Sequence, residues 1–347
     1  MPLATLDNLL LSESKKHFET LRGRYQRRGI VPFLGAGVPA ACGLPSWKEL
    51  TKRIFERMAD AKKYQDLLAD ENTEEIAKLS FAAERIGSGF LESLRSCLYA
   101  QVTFPESSTP AGLRSAMMDR NPTMAAIAEL LCQREGDHYV PNPRLPAILT
   151  TNVDDLLQRL VRRGYPQASG KSILRTIERA SAGPLERRTP IYHLHGLLKS
   201  KRSDRDEEAT DMAVFTEREY LLVYRDSHSV FSYTPLFLMR EYPVLFVGVG
   251  MKDPNVRRLL AWSQWEIEQG YRQEGQATPS HKEFRHFALL REVSKTEREI
   301  VTTLLRPLGV ATLWYRKHQD VPQLLQQLQL PAESENSTVS ATERLRR

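Results

Sequence analysis

The stretch Val31-Pro-Phe-Leu-Gly35-Ala-Gly37-Val-Pro39-Ala-Ala-Cys-Gly43-Leu-Pro-Ser-Trp47 decides the fold. A short apolar run, Ile30 to Leu34, ends in two closely spaced glycines. A buried parallel strand that delivers a tight turn behaves in this way. Ser46 can then cap a helix starting at Trp47, with Leu50, Ile54 and Met58 spaced by four. Glycines in such a turn let backbone N–H groups approach a phosphate, and the following helix N-terminus favours its charge. The turn can equally be structural punctuation. The spacing departs from the dehydrogenase fingerprint G-x-G-x-x-G, because the next glycine after Gly37 is Gly43.

Working outward, further strands are expected at Pro146–Thr151, Ile191–Leu194, Pro243–Gly248, His286–Leu290 and Val310–Tyr315. Helical spacing lies between them, at 155–163, 216–224, 255–268, 294–305 and 321–328. Strands alternating with helices predict an α/β fold with a doubly wound, Rossmann-like parallel sheet. Phe18, Leu21 and Tyr25 predict an amphipathic helix over 12–28. From about 60 to 140 the apolar spacing stays helical, which predicts an inserted helical subdomain. The expected organisation is an N-terminal helical segment (1–29), a catalytic domain (30–330) and a disordered, Ser-, Thr- and Glu-rich tail (331–347). Residues 197–211 read as a charged loop.

The chain has 347 residues, 41% hydrophobic and 27% charged, with a net charge of +6. Those values fit a globular protein and exclude a fibrous or strongly charged disordered chain. The positive excess is too dilute to predict nucleic-acid binding. The most apolar stretch, Tyr242 to Met251, is about half the roughly twenty residues a membrane helix needs. Cys42, Cys97 and Cys132 are dispersed, so neither a disulfide framework nor a four-thiolate zinc site is expected. A reducing cytoplasm fits this usage.

Three more motifs stand at expected strand ends, where open α/β sheets bind ligands. Thr150-Thr151-Asn152-Val153-Asp154 offers polar groups for a sugar hydroxyl or a water, or simply helix caps. His193-Leu194-His195-Gly196 offers a general base near neutral pH; alternation would send both histidines to one face. Either can also be an ordinary hydrogen-bonded structural histidine. Gly248-Val249-Gly250-Met251-Lys252-Asp253 opens a strand into a helix, and Asp253 could bind a ribose hydroxyl or cap that helix.

In this order the four motifs resemble the SIR2, or sirtuin, family. The resemblance implies a Rossmann-like NAD-binding sheet with a smaller helical module. It implies that Gly35, Ala36 and Gly37 hold the NAD pyrophosphate, with Trp47 beside the cofactor, that Asn152 and Asp154 line the nicotinamide–ribose pocket, that His195 is the catalytic histidine, and that Gly248 and Asp253 lie on the adenosine side. Protein-deacylating sirtuins carry two C-x-x-C pairs after the H-G motif; residues 197–243 contain no cysteine, so no metal is expected. Pro39 stands where those enzymes have Ser. Gly43-Leu-Pro-Ser-Trp47, Thr150-Thr151-Asn152-Val153-Asp154, Thr216-Glu-Arg-Glu-Tyr220 and Gly250-Met-Lys-Asp-Pro-Asn255 look instead like bacterial SIR2-like effectors of antiphage defence. That likeness implies an NAD⁺ glycohydrolase using NAD as substrate, a homo-oligomer, and a separately encoded sensor or activator such as a HerA-type ATPase or a nucleotide-sensing protein. A zinc-free deacylase and a nonenzymatic NAD or ADP-ribose sensor are the alternatives.

Overall fold

The computed structural model describes residues 4–177, 187–200, 213–225, 231–273 and 284–331. The expected tail from 332 and the charged residues 201–211 lie outside the described residues. Nine strands form among those described: β1 (Val31–Leu34), β2 (Cys132–Glu135), β3 (His138–Pro141), β4 (Ile148–Thr150), β5 (Leu174–Ile177), β6 (Thr189–His193), β7 (Val244–Val247), β8 (His286–Arg291) and β9 (Val310–Tyr315). Seven make one parallel sheet in the order β5-β6-β4-β1-β7-β8-β9. After β1 the chain builds one half of the sheet; it then crosses to the far side of β1 to place β7. The crevice beyond the C-terminal ends of β1 and β7 is therefore a topological switch point.

Strand alternation shows how the two faces are covered. Leu34, Ile148, Ile191, Leu245, Val247 and Phe287 point into one apolar core with Phe18, Leu21 and Tyr25 of the helix Ser12–Arg28 and with Leu324 and Leu328 of the helix Asp320–Gln329. Their neighbours Phe33, Leu149, Phe246 and Ala288 point the other way, against Met239, Leu259 and Leu260. Period-two residues buried on both faces are what a doubly wound sheet requires. The N-terminal segment also protects the edge strand β9. Leu10 bridges Tyr315, and Ser14 Oγ accepts a 2.8 Å hydrogen bond from Trp314 N.

The insertion is mostly helical. Its helices Glu75–Ile86 and Phe90–Tyr99 form a third core with the preceding helix Trp47–Phe55, sharing it with Leu198, Ala213 and Phe215. It also contains an antiparallel hairpin, β2–β3, which corrects the purely helical expectation for 60–140. The helix Pro122–Leu131 stops at Cys132, and Gly136, with φ +60°, turns the hairpin. The short edge strand β5 carries Arg175 in its middle and has little apolar signal. Among the described residues no helix is long and apolar enough to cross a membrane.

Candidate functional site

The turns after β1 and β7 pack backbone against backbone. A Cβ on Gly35 would lie 2.5 Å from the Gly248 carbonyl oxygen, and one on Gly37 would lie 2.8 Å from Gly248 Cα. Gly248 has φ +68°, the left-handed region that glycine occupies without strain, and a Cβ there would meet Val38 N at 2.7 Å. The glycines are thus required by each other. Gly35 and Ala36 border a cleft of about 620 Å³ together with Gly248, while Gly37 is packed under it and does not line it. Behind the turn, buried Asn121 donates to Val38 O at 2.8 Å and accepts from Met124 N, which fixes the loop onto the following helix.

Two polar side chains enter the cleft from the other half of the sheet. Asn152 follows β4; its Nδ2 donates to Gly35 O at 3.0 Å, and its N–H donates to Thr150 Oγ1 at 3.0 Å. Thr150 in turn donates to Leu34 O. The amide is thereby oriented, and no described residue donates to its Oδ1. His195 follows β6 and is 7% exposed. Its Nε2 lies 3.6 Å from Asp253 Oδ2. Asp253 Oδ1 accepts from Asn255 N at 2.8 Å, capping the helix Pro254–Gln273, and from the Tyr220 hydroxyl at 3.2 Å. Burial holds the His195 imidazole below its ordinary pKa, and the Asp253 charge opposes that shift. The histidine is therefore neutral at pH 7. The Tyr220 hydroxyl is pushed up by burial and by the same carboxylate, so it stays protonated.

The walls are also set by sequence. Ser46 caps the helix that carries Trp47, accepting from Glu49 N at 3.3 Å. The Trp47 ring, 40% exposed, stands 5.4 Å from Phe215 and lines the cleft. Thr216 and Glu219 form a reciprocal cap: Glu219 N donates to Thr216 Oγ1, and Glu219 Oε2 accepts from Thr216 N. This cap starts the helix Glu217–Arg225 and brings Tyr220 to Asp253. Met251, with φ +54°, is a rare left-handed non-glycine in the same wall.

One expectation is corrected. The histidines do not share a face, because β6 ends at His193 and its alternation does not carry on to His195. His193 lies outside the cleft, fully buried, with its pKa lowered to about 4 by desolvation. Its Nδ1 is 2.7 Å from Asn152 O and its Nε2 is 2.5 Å from Gln158 Nε2. The Gln158 amide must donate there, so His193 carries its proton on Nδ1 and donates it to the Asn152 carbonyl. Asp154 lines smaller crevices beside Asn152, one of which shares Ala36 and Trp47 with the main cleft. Its Oδ1 accepts from Leu156 N at 3.0 Å, a helix-capping bond, and burial raises its carboxyl to about 7. Sequence reasoning missed the Asp253–His195 pair and Tyr220, which come from elements not adjacent in the sheet. Among the described residues no group of three His, Cys, Asp or Glu side chains could hold a metal ion.

Residues 146–309, which include Asn152, His195 and Asp253, match the SIR2-like domain model. The chain is also 24% identical over 264 residues to the NAD(+) hydrolase ThsA of Enterococcus faecium, covering 76% of this chain. It spans 43% of that protein's length. Among solved structures, a SIR2 homologue–NAD complex aligns with 93% of this chain and 98% of its own, at 12% identity and a TM-score of 0.37. The matched residues thus contain the two polar strand ends, whereas the glycine turn Gly35–Gly37 lies N-terminal to them.

Proposed function

We propose that this chain hydrolyses NAD⁺ to nicotinamide and ADP-ribose. The observation that carries this reading is the meeting of Asn152, His195 and Asp253, from three different strand ends, in one cleft bordered by Gly35, Ala36 and Gly248. Its volume suits a cofactor-sized ligand. The SIR2-like match and the likeness to an NAD(+) hydrolase support the same assignment.

The chemistry follows from the side chains. Cleavage of the nicotinamide–ribose bond passes through an oxocarbenium-like state, so the ribose must be held and a water positioned. Asn152, fixed through Nδ2 on Gly35 O, has Oδ1 to accept from a ribose hydroxyl or that water. Neutral His195 accepts a proton as water attacks C1′, and the imidazolium formed is stabilised by Asp253 at 3.6 Å. Tyr220 and the helix N-terminus hold that carboxylate in place. Backbone groups of the Gly35 turn and the Trp47 ring are the groups for the pyrophosphate and the base. Resemblance to the antiphage effectors extends the proposal to an NAD-depleting role in abortive infection, in a cytoplasmic homo-oligomer controlled by a separately encoded protein.

The test is incubation of the purified chain with NAD, with and without an acetylated peptide, followed by chromatography. Equal nicotinamide and ADP-ribose without peptide is the expected result. Release only with peptide would make the chain a deacylase, and no release, in the presence or absence of its genetic neighbour's product, would make it a binding protein.

A further inference from the structure

A second cavity, of about 440 Å³, is lined by Leu174 and Thr176 of β5 and by the helix Leu156–Gly164. Among the described residues it shares no lining residue with the cleft. Its wall, among the described residues, carries five basic side chains, Arg159, Arg162, Lys171, Arg188 and Lys199, and one acid, Asp155. Several of them are held in place. Arg188 donates to Ser172 O at 2.9 Å and to Leu174 O at 2.6 Å. Arg159 stacks 4.4 Å over Phe104 and donates to Ser200 Oγ, which donates to Asp155 Oδ2 at 3.1 Å. Asp155 also accepts from the Tyr99 hydroxyl. A braced, cation-rich cavity of this volume suits an anion larger than one phosphate, because guanidinium forks match phosphate oxygens in pairs.

Gln158 connects this cavity to the proposed site. It lines the cavity, and its amide donates to His193 Nε2, while His193 Nδ1 donates to the carbonyl of Asn152. Asn152 then reaches Gly35 O. The links are hydrogen bonds of 2.5, 2.7 and 3.0 Å between buried or half-buried groups, so a displacement of the Gln158 amide acts through His193 on the backbone carbonyl of Asn152. We propose that the basic cavity is a second ligand site, for a small molecule bearing two or more phosphates, and that its occupancy reaches Asn152 through Gln158 and His193. The binding half stands apart from NAD cleavage; the coupling half rests on NAD occupying the cleft.

Calorimetry of the full chain with tripolyphosphate at about 0.15 M salt, where loose surface pairing is screened, tests the site. One tripolyphosphate per chain is expected. Arg162→Glu with Lys171→Glu should weaken it at least about tenfold, the scale of losing charge-assisted hydrogen bonds, with melting temperature and NAD affinity kept. Unchanged affinity in that variant, or loss of binding at this salt, would overturn the site. NAD titrations with and without saturating tripolyphosphate test the coupling. NAD affinity should shift in the wild type, and the shift should vanish both in Gln158→Leu, which still binds tripolyphosphate, and in the double variant. No shift in the wild type, or a shift that persists in the double variant, would overturn the coupling, the latter by placing the anion in the cleft itself. Both readouts are binding measurements, so a chain that passes them without cleaving NAD would refute the hydrolase reading alone.

Discussion

The two halves of the cleft are built in opposite ways. On the β1/β7 side the wall exists because side chains are absent: Gly35, Gly37 and Gly248 let two turns touch through their backbones. On the β4/β6 side it exists because polar side chains are pinned to carbonyls, Asn152 on Gly35 O and His193 on Asn152 O. The first half tolerates almost no added volume, whereas the second tolerates lost volume but not lost hydrogen bonds. Substitutions should therefore separate folding effects on one side from rate effects on the other.

The largest effect is expected on the glycine side. Gly248→Val places a branched side chain at φ +68°, 2.7 Å from Val38 N, and should lower stability by at least about 3 kcal/mol, read as a lower denaturation midpoint. If the variant kept its midpoint, the turns would not be mutually dependent.

Next comes the polar side. Asp253→Asn keeps a capping oxygen but removes the charge facing His195, and should slow NAD cleavage about tenfold or more with the fold retained. The pH profile gives the sign. Because burial lowers the His195 pKa, the base stays competent below pH 6.5, and activity falls only as pH drops through the lowered value. Asp253 raises that pKa, so Asp253→Asn should move the acid limb to still lower pH. An acid limb shifted upward, or an unchanged profile, would contradict the pairing.

The smallest effect concerns two buried groups that titrate in opposite senses. His193 has a folded pKa of about 4, below its unfolded value, so it contributes stability that is present above about pH 6.5 and lost as pH falls toward 4. Asp154 has a folded pKa of about 7, above its unfolded value; its contribution is full below about pH 4 and lost as pH rises through 7. Asp154→Asn, which can still accept from Leu156 N, should therefore gain stability over the wild type at pH 8, a gain that shrinks toward pH 4. Thermal melts across that range check the trend; a variant less stable at pH 8 would show that the carboxylate has a partner worth more than its burial costs.

The sequence reading succeeded where burial alone dictates pattern. β1, β7 and β9 are runs buried along their whole length, β8 is buried over its first four residues, and the glycines that end β1 and β7 announce their turns. It failed at the sheet edge, where β5 carries Arg175, and at the β2–β3 hairpin, whose outer residues are polar. Asn152 and His195 could be nominated from their strand ends. That His193 turns away to brace Asn152, and that Asp253 comes to His195, depends on where each strand stops and on β6 and β7 being held apart by β4 and β1. Spacing along the chain carries no trace of either.

The central claim is that Asn152 and His195 act together on NAD in one cleft. The most direct measurement is nicotinamide release by purified Asn152→Ala and His195→Ala, set beside their melting temperatures. Each should lose at least about a hundredfold in rate, the usual worth of an orienting group or general base, while melting near the wild type. A folded variant of either kind that released nicotinamide at close to the wild-type rate would contradict the account.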